Sequence, residues 1–99
     1  MAGLLSRLSA QWRRDQALSG KADALYGALV AQARRPEFYA DLGVPDTVDG
    51  RFDMIMLHLS LLLRRLRGDD EALAQAVLDT TFDDMDRNLR EMGAGDLGV

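Results

Sequence analysis

Between Thr47 and Arg67 the sequence is apolar in two directions at once. Phe52, Ile55, Leu59, Leu62 and Leu66 recur at alternating intervals of three and four, and Met56 and Leu63 widen the row. That spacing is the packing seam of an α-helix. At about 100° per residue, Met54, Leu57 and Leu61 fall on nearly the opposite side. Asp53, Ser60 and Arg64 divide the two faces along one edge, and His58 and Arg65 divide them along the other. Such a helix is either central and covered on both flanks, or it packs with one flank and offers the other to a partner. The remaining residue types also favour helix. Leucine and alanine together supply 30 residues, against 9 β-branched ones. Unbranched and γ-branched side chains lose little rotamer freedom in a helix, whereas strands favour β-branched ones. The expected fold is all-α, a small helical bundle whose long central helix packs antiparallel to the helix that follows it.

Turn chemistry divides the chain. Ser19-Gly20 marks a break between a first helix, about Gly3 to Asp15, and a second, about Lys21 to Arg34. Pro36 opens a short helix that Gly43 stops, and Val44-Pro45 must be extended. Asp46 or Thr47 is the natural N-cap of the long helix. Gly68 ends that helix after Arg64, Arg65 and Arg67, where cations suit the helix dipole. In the last helical stretch, about Asp69 to Met92, Leu78, Phe82, Met85, Leu89 and Met92 repeat at 4, 3, 4, 3, a second seam to match the first. Thr80-Thr81 predicts a kink or break within it, and the glycines from Gly93 onward predict a flexible tail. The expected division is an amphipathic N-terminal arm or helix over residues 1–20 and a helical domain over residues 21–99. In that domain the long helix packs between its two neighbours.

Ninety-nine residues suffice for one modest core. The chain has no cysteine and a single histidine, His58. Disulfide scaffolds, thiolate metal sites and cysteine nucleophiles are thereby excluded, and histidine-rich zinc sites with them. As a catalyst His58 lacks a neighbouring nucleophile and an orienting carboxylate, so it reads as a core or interface histidine hydrogen-bonded to an acid or a carbonyl, an aspartate of the last helix being one candidate. Asp79, Asp83 and Asp86 share a helical face, but Asp83 is four residues from Arg87 and Asp86 four from Arg90. That pattern favours a solvated ion-pair face over a cation site. No phosphate-binding glycine loop is present. No catalytic, cofactor or metal residue is expected.

Charge is uneven. Residues 1–35 hold six basic residues against two acidic, a net +4, and residues 36–99 hold six against fourteen, a net −8. An acidic chain with scattered arginines is a poor nucleic-acid ligand. No apolar run is long enough to span a bilayer, and Arg7 interrupts any signal-peptide core. The chain is therefore expected in the cytoplasm, or peripheral on the cytoplasmic face of the inner membrane. Leu4, Leu8 and Trp12 form a stripe with Leu5 beside it, flanked by Arg7, Arg13 and Arg14. This suits a helix lying on an anionic membrane surface, though the behaviour of chain termini favours a terminal arm that packs on the domain or stays mobile. One reading of the whole chain is accordingly a peripheral membrane-surface binding protein that uses Leu4, Leu8, Trp12, Arg13 and Arg14.

The ordered segments carry a resemblance. They are Tyr26-Gly-Ala-Leu-Val-Ala-Gln-Ala-Arg-Arg-Pro-Glu-Phe-Tyr39, Gly43-Val-Pro-Asp-Thr-Val-Asp-Gly-Arg-Phe-Asp53, Leu57-His-Leu59, Leu63-Arg-Arg-Leu66, Phe82-Asp-Asp-Met-Asp-Arg-Asn-Leu-Arg-Glu-Met-Gly93 and Gly95-Asp-Leu-Gly-Val99. Together, over residues 21–99, they resemble the ubiquinol–cytochrome c chaperone family in its alphaproteobacterial form. The resemblance implies a mostly helical, non-catalytic assembly factor of the cytochrome bc1 complex. Its implied partners are newly made cytochrome b or another bc1 assembly factor. Family members usually continue past the counterpart of Gly98-Val99 with a basic helical segment, so the sequence reads as C-terminally truncated or as the product of a short gene. The flank expected to meet a client is Met54, Leu57 and Leu61, bordered by His58 and Arg65. The competing expectation is that the second helix or the Phe38-Tyr39 segment covers it.

Overall fold

The computed structural model describes residues 2–97, all of whose regular structure is helical. Helix α1 spans Ala2–Ala33, α2 Pro36–Ala40, α3 Val48–Leu66 and α4 Glu71–Leu97. The expected break at Ser19-Gly20 does not occur, and α1 runs through it unbroken. A mid-helix glycine costs roughly 1 kcal/mol. Strong helix formers on both sides and the packing of Leu25, Leu29 and Ala22 against the bundle outweigh that cost. Nor does α4 break at Thr80-Thr81, because the Thr81 hydroxyl donates to the Val77 carbonyl at 2.8 Å and so satisfies itself within the helix. The glycines after Met92, expected as a tail, continue α4 to Leu97.

The caps follow local chemistry. Thr47 is extended at φ −124° and ψ 170°, and its hydroxyl accepts from the Gly50 amide at 3.0 Å. Asp46 instead pairs with Arg51 at 2.8 Å. Gly50 is buried, and a Cβ there would collide with the backbone of Pro45. The first turn of α3 therefore packs directly on the Val44-Pro45 strand-like segment. Between α3 and α4, Gly68 takes a φ of +91° that other residues rarely adopt. Asp70 then caps α4 by accepting from the Leu73 amide at 3.0 Å. Glu71 reaches back to the Gly68 amide at 2.7 Å and to Arg67 at 2.9 Å, contacts that hold its carboxyl below the ordinary glutamate range.

The three long helices touch one another pairwise, and the α1–α4 interface is the broadest. The α3–α4 turn makes that pair antiparallel. Asp23 and Tyr26 of α1 meet Thr80 and Asp84 of α4 in the same order along both helices, so α1 and α4 run the same way and α1 opposes α3. The core is Ala22, Leu29, Leu59 and Val77, with Leu25, Tyr26, Val30, Ile55, Leu62, Leu63 and Leu66 packed around it. The α3 seam is thus as its spacing predicts, except that Phe52 at its start is 43% exposed.

The α4 seam is displaced in part: Leu78 packs on the core and Met85 is half-buried as its spacing predicts, but the rest of the row is not. Its buried positions are Ala74, Val77 and Thr81, whereas Phe82, Leu89 and Met92 are 51%, 65% and 60% exposed. Small side chains let α1 approach α4 closely, and the larger residues on the neighbouring face are left outside. The molecule is consequently open. It measures 59 × 40 × 17 Å with a radius of gyration of 17.6 Å, against about 13 Å for a compact domain of this length.

Candidate functional site

The second apolar flank of α3 lies on the surface of the bundle. Leu57 and Leu61 are 51% and 55% exposed, one helical turn apart. Arg65 continues the row and is also exposed. Met54 at the other end of the flank is only 6% exposed, so it backs the surface rather than presenting itself. His58 sits between, half-buried. Its Nδ1 lies 2.7 Å from the Met54 carbonyl oxygen. A carbonyl can only accept, so Nδ1 carries the proton and Nε2 faces away from the helix. The Phe38 ring packs edge-on against the imidazole, centroids 5.5 Å apart.

His58 is therefore held by its own helix and by α2: its partner is a carbonyl, one of the two kinds the sequence allows, and not an aspartate of the last helix. The short α2 closes the Met54–His58 end of the flank. It is itself tied down by the Tyr39 hydroxyl, which donates to the Ala33 carbonyl at 2.9 Å. The Phe38-Tyr39 segment thus covers one end of the flank, and Leu57 and Leu61 stay open.

The remaining chemistry is structural. Asp86 pairs with Arg90 at 2.9 Å, as its spacing predicts, but Arg87 turns to Asp84 at 3.6 Å instead of Asp83. Asp79 accepts from Gln75. Among the described residues no cluster of histidine and carboxylates is placed to hold a metal ion. Asp84 accepts the Tyr26 hydroxyl at 2.6 Å across the α1–α4 interface. Burial, with that carboxylate beside it, pushes the Tyr26 phenol up to about 12. An open cleft lined by Arg34, Pro36, Tyr39 and Arg51 lies where α1, α2 and α3 meet, and Asp46 already neutralises Arg51 there.

Two further apolar surfaces emerge. One is the stripe of Phe82, Leu89 and Met92 on α4, whose spacing predicts core. The signal that places it outside is the alternative 3,4 row of Ala74, Val77 and Thr81, which is less greasy but smaller. The other surface is the N-terminal half of α1. Leu4, Leu5, Leu8 and Trp12 are 58–67% exposed there, and Arg13 and Arg14 are exposed beside them.

The described residues form an open helical platform with bare apolar flanks. The profile of the ubiquinol–cytochrome C chaperone family matches residues 40–99, more than half of the sequence. The chain belongs to that family. It is named for holding a protein, not for a reaction. The chain is also similar to a Cbp3 homolog from Brucella abortus, whose crystal structure superposes with a TM-score of 0.72 at 41% identity. The match covers 93% of this chain and 53% of that one, so this chain spans about half the length of the relative. No curated protein sequence matches it.

Proposed function

We propose that this chaperone-family chain is a non-catalytic assembly factor of the cytochrome bc1 complex, and that it holds an apolar segment of newly made cytochrome b on the exposed flank of α3. The observation that carries the reading is the bare pair Leu57 and Leu61 on a helix whose opposite face is already spent on the core. Two leucines a turn apart, with Arg65 at one end and the Phe38–His58 contact at the other, make a short apolar strip on which a helical segment can lie. Met54 supports it from below, and its flexible thioether suits an adaptable contact. Family membership supports the choice of complex, and the exposed leucine pair supports the choice of surface.

The proposed place of action is the cytoplasmic face of the inner membrane, where the ends of a membrane client emerge. No described helix is long and apolar enough to cross a membrane. The test is a photo-crosslinking amino acid at position 61, introduced in cells that make the bc1 complex. Crosslinks to cytochrome b are the expected result. Leu57→Glu and Leu61→Glu should abolish cytochrome b capture and leave the melting temperature of the chain unchanged, because both side chains already meet water. Crosslinks to another assembly factor alone would move the client elsewhere and overturn the cytochrome b assignment.

A further inference from the structure

The N-terminal half of α1 has no counterpart in the bundle. Residues 3–9 and 11–17 are all exposed, and the first buried residue of α1 is Ala22. The seam that packs α1 against the others runs back from Leu29 through Leu25, Ala22 and Leu18. Its next two steps are Asp15 and Gln11, which bond to each other at 2.9 Å instead of to a neighbouring helix. The bundle core therefore ends there. Beyond it, Leu4, Leu8 and Trp12 advance by fours and, with Leu5, cover an arc of roughly 100°. A free helical arm of this length is marginal in water unless a surface takes its apolar side.

Charge selects that surface. Arg7 and Arg14 border the arc on one side and Arg13 on the other, and residues 2–14 contain no acid. The chain from residue 36 onward is net −8, so an anionic surface attracts the arm and repels the rest. A tryptophan beside leucines and between arginines is the composition of a helix seated at a lipid–water boundary. We propose that residues 3–14 are an anchor for an anionic lipid surface, with Leu4, Leu8 and Trp12 entering the headgroup region and Arg7, Arg13 and Arg14 meeting lipid phosphates. The anchor shares no residue with the α3 flank.

Trp12 is the only tryptophan, so its fluorescence reports on the arm alone. The experiment titrates the full chain with vesicles of phosphatidylcholine containing one-third phosphatidylglycerol, and with pure phosphatidylcholine. The expected result is a blue shift of Trp12 emission and co-sedimentation on the anionic vesicles, weakened by high salt. Leu8→Glu should lower partitioning by about tenfold or more. Replacing the three arginines by glutamine should lower it by roughly a hundredfold, at about fivefold per charge. Leu57→Glu should leave it unchanged, which separates this anchor from client binding.

Unchanged emission on anionic vesicles overturns the proposal, as does equal binding to both vesicle types that the glutamine variant retains. A lipid-free dimer that Leu8→Glu dissociates, with no vesicle binding, overturns it in favour of a second copy of the chain.

Discussion

Tyr26 and Gly50 show how much a single position carries in a core this small. The Tyr26 phenol is neutral in the folded chain up to about pH 12, held there by burial and by donation to Asp84. An unfolded tyrosine ionises near 10. Its contribution to stability is therefore complete below pH 10 and is lost as pH rises from about 10 to 12. Urea midpoints measured across that window should fall for the native chain, and Tyr26→Phe should flatten the decline. The same variant should cost about 1 kcal/mol at neutral pH, the usual net value of a hydrogen bond. Gly50 acts through volume, because any Cβ there strikes the Pro45 backbone. Gly50→Ala should destabilise by about 1–3 kcal/mol in denaturant titration despite alanine's better helix propensity. The sequence shows Gly50 only as a weak residue in a first helical turn. The reason for it lies in a segment five residues earlier that folds back beneath it.

The helices themselves are largely legible. Their caps, stops and apolar rows are local properties, and Thr47, Gly43, Gly68 and the α3 seam all serve as their chemistry indicates. Two of the departures from the sequence expectation have one cause. A break at Gly20 and a core seam through Leu89 both follow from weighing residues by their own preferences, and tertiary packing outvoted them. At Gly20 nothing lies within reach of an added Cβ, so Gly20→Ala should stabilise the continuous helix by about 0.5–1 kcal/mol in thermal melts. A true break with Gly20 as its hinge would give no gain. On α4 the contrast is sharper. Val77→Ala should cost about 2 kcal/mol, and Leu89→Gln should change the melting free energy by less than about 0.5 kcal/mol, the reverse of what hydrophobicity alone ranks.

At the scale of the molecule, openness is the property that matters. The surface exposed is 7448 Å², against about 5,600 Å² for a compact chain of this mass. The excess comes with three bare apolar rows, on the first half of α1, the outer flank of α3 and the second half of α4. Soluble monomers seldom leave such rows uncovered unless something docks on them. X-ray scattering should give a radius of gyration near 17.6 Å for the isolated chain, not the ~13 Å of a closed domain. A value near the smaller figure would mean that the arm folds back in solution.

Composition and spacing were enough to establish an all-helical chain, most of its boundaries and the two-faced character of α3, because each of these depends on residues within a few turns of one another. The orderings of side chains gave the family likeness as well. Which apolar faces meet, and which are left to water, was settled only by the assembled bundle. Small residues such as Ala22, Ala74 and Thr81 are fully buried in the assembled bundle, and which faces are buried is a property of two surfaces together. Hydrophobicity read along one strand of sequence ranks Leu89 above Ala74; the geometry of the pair reverses that order.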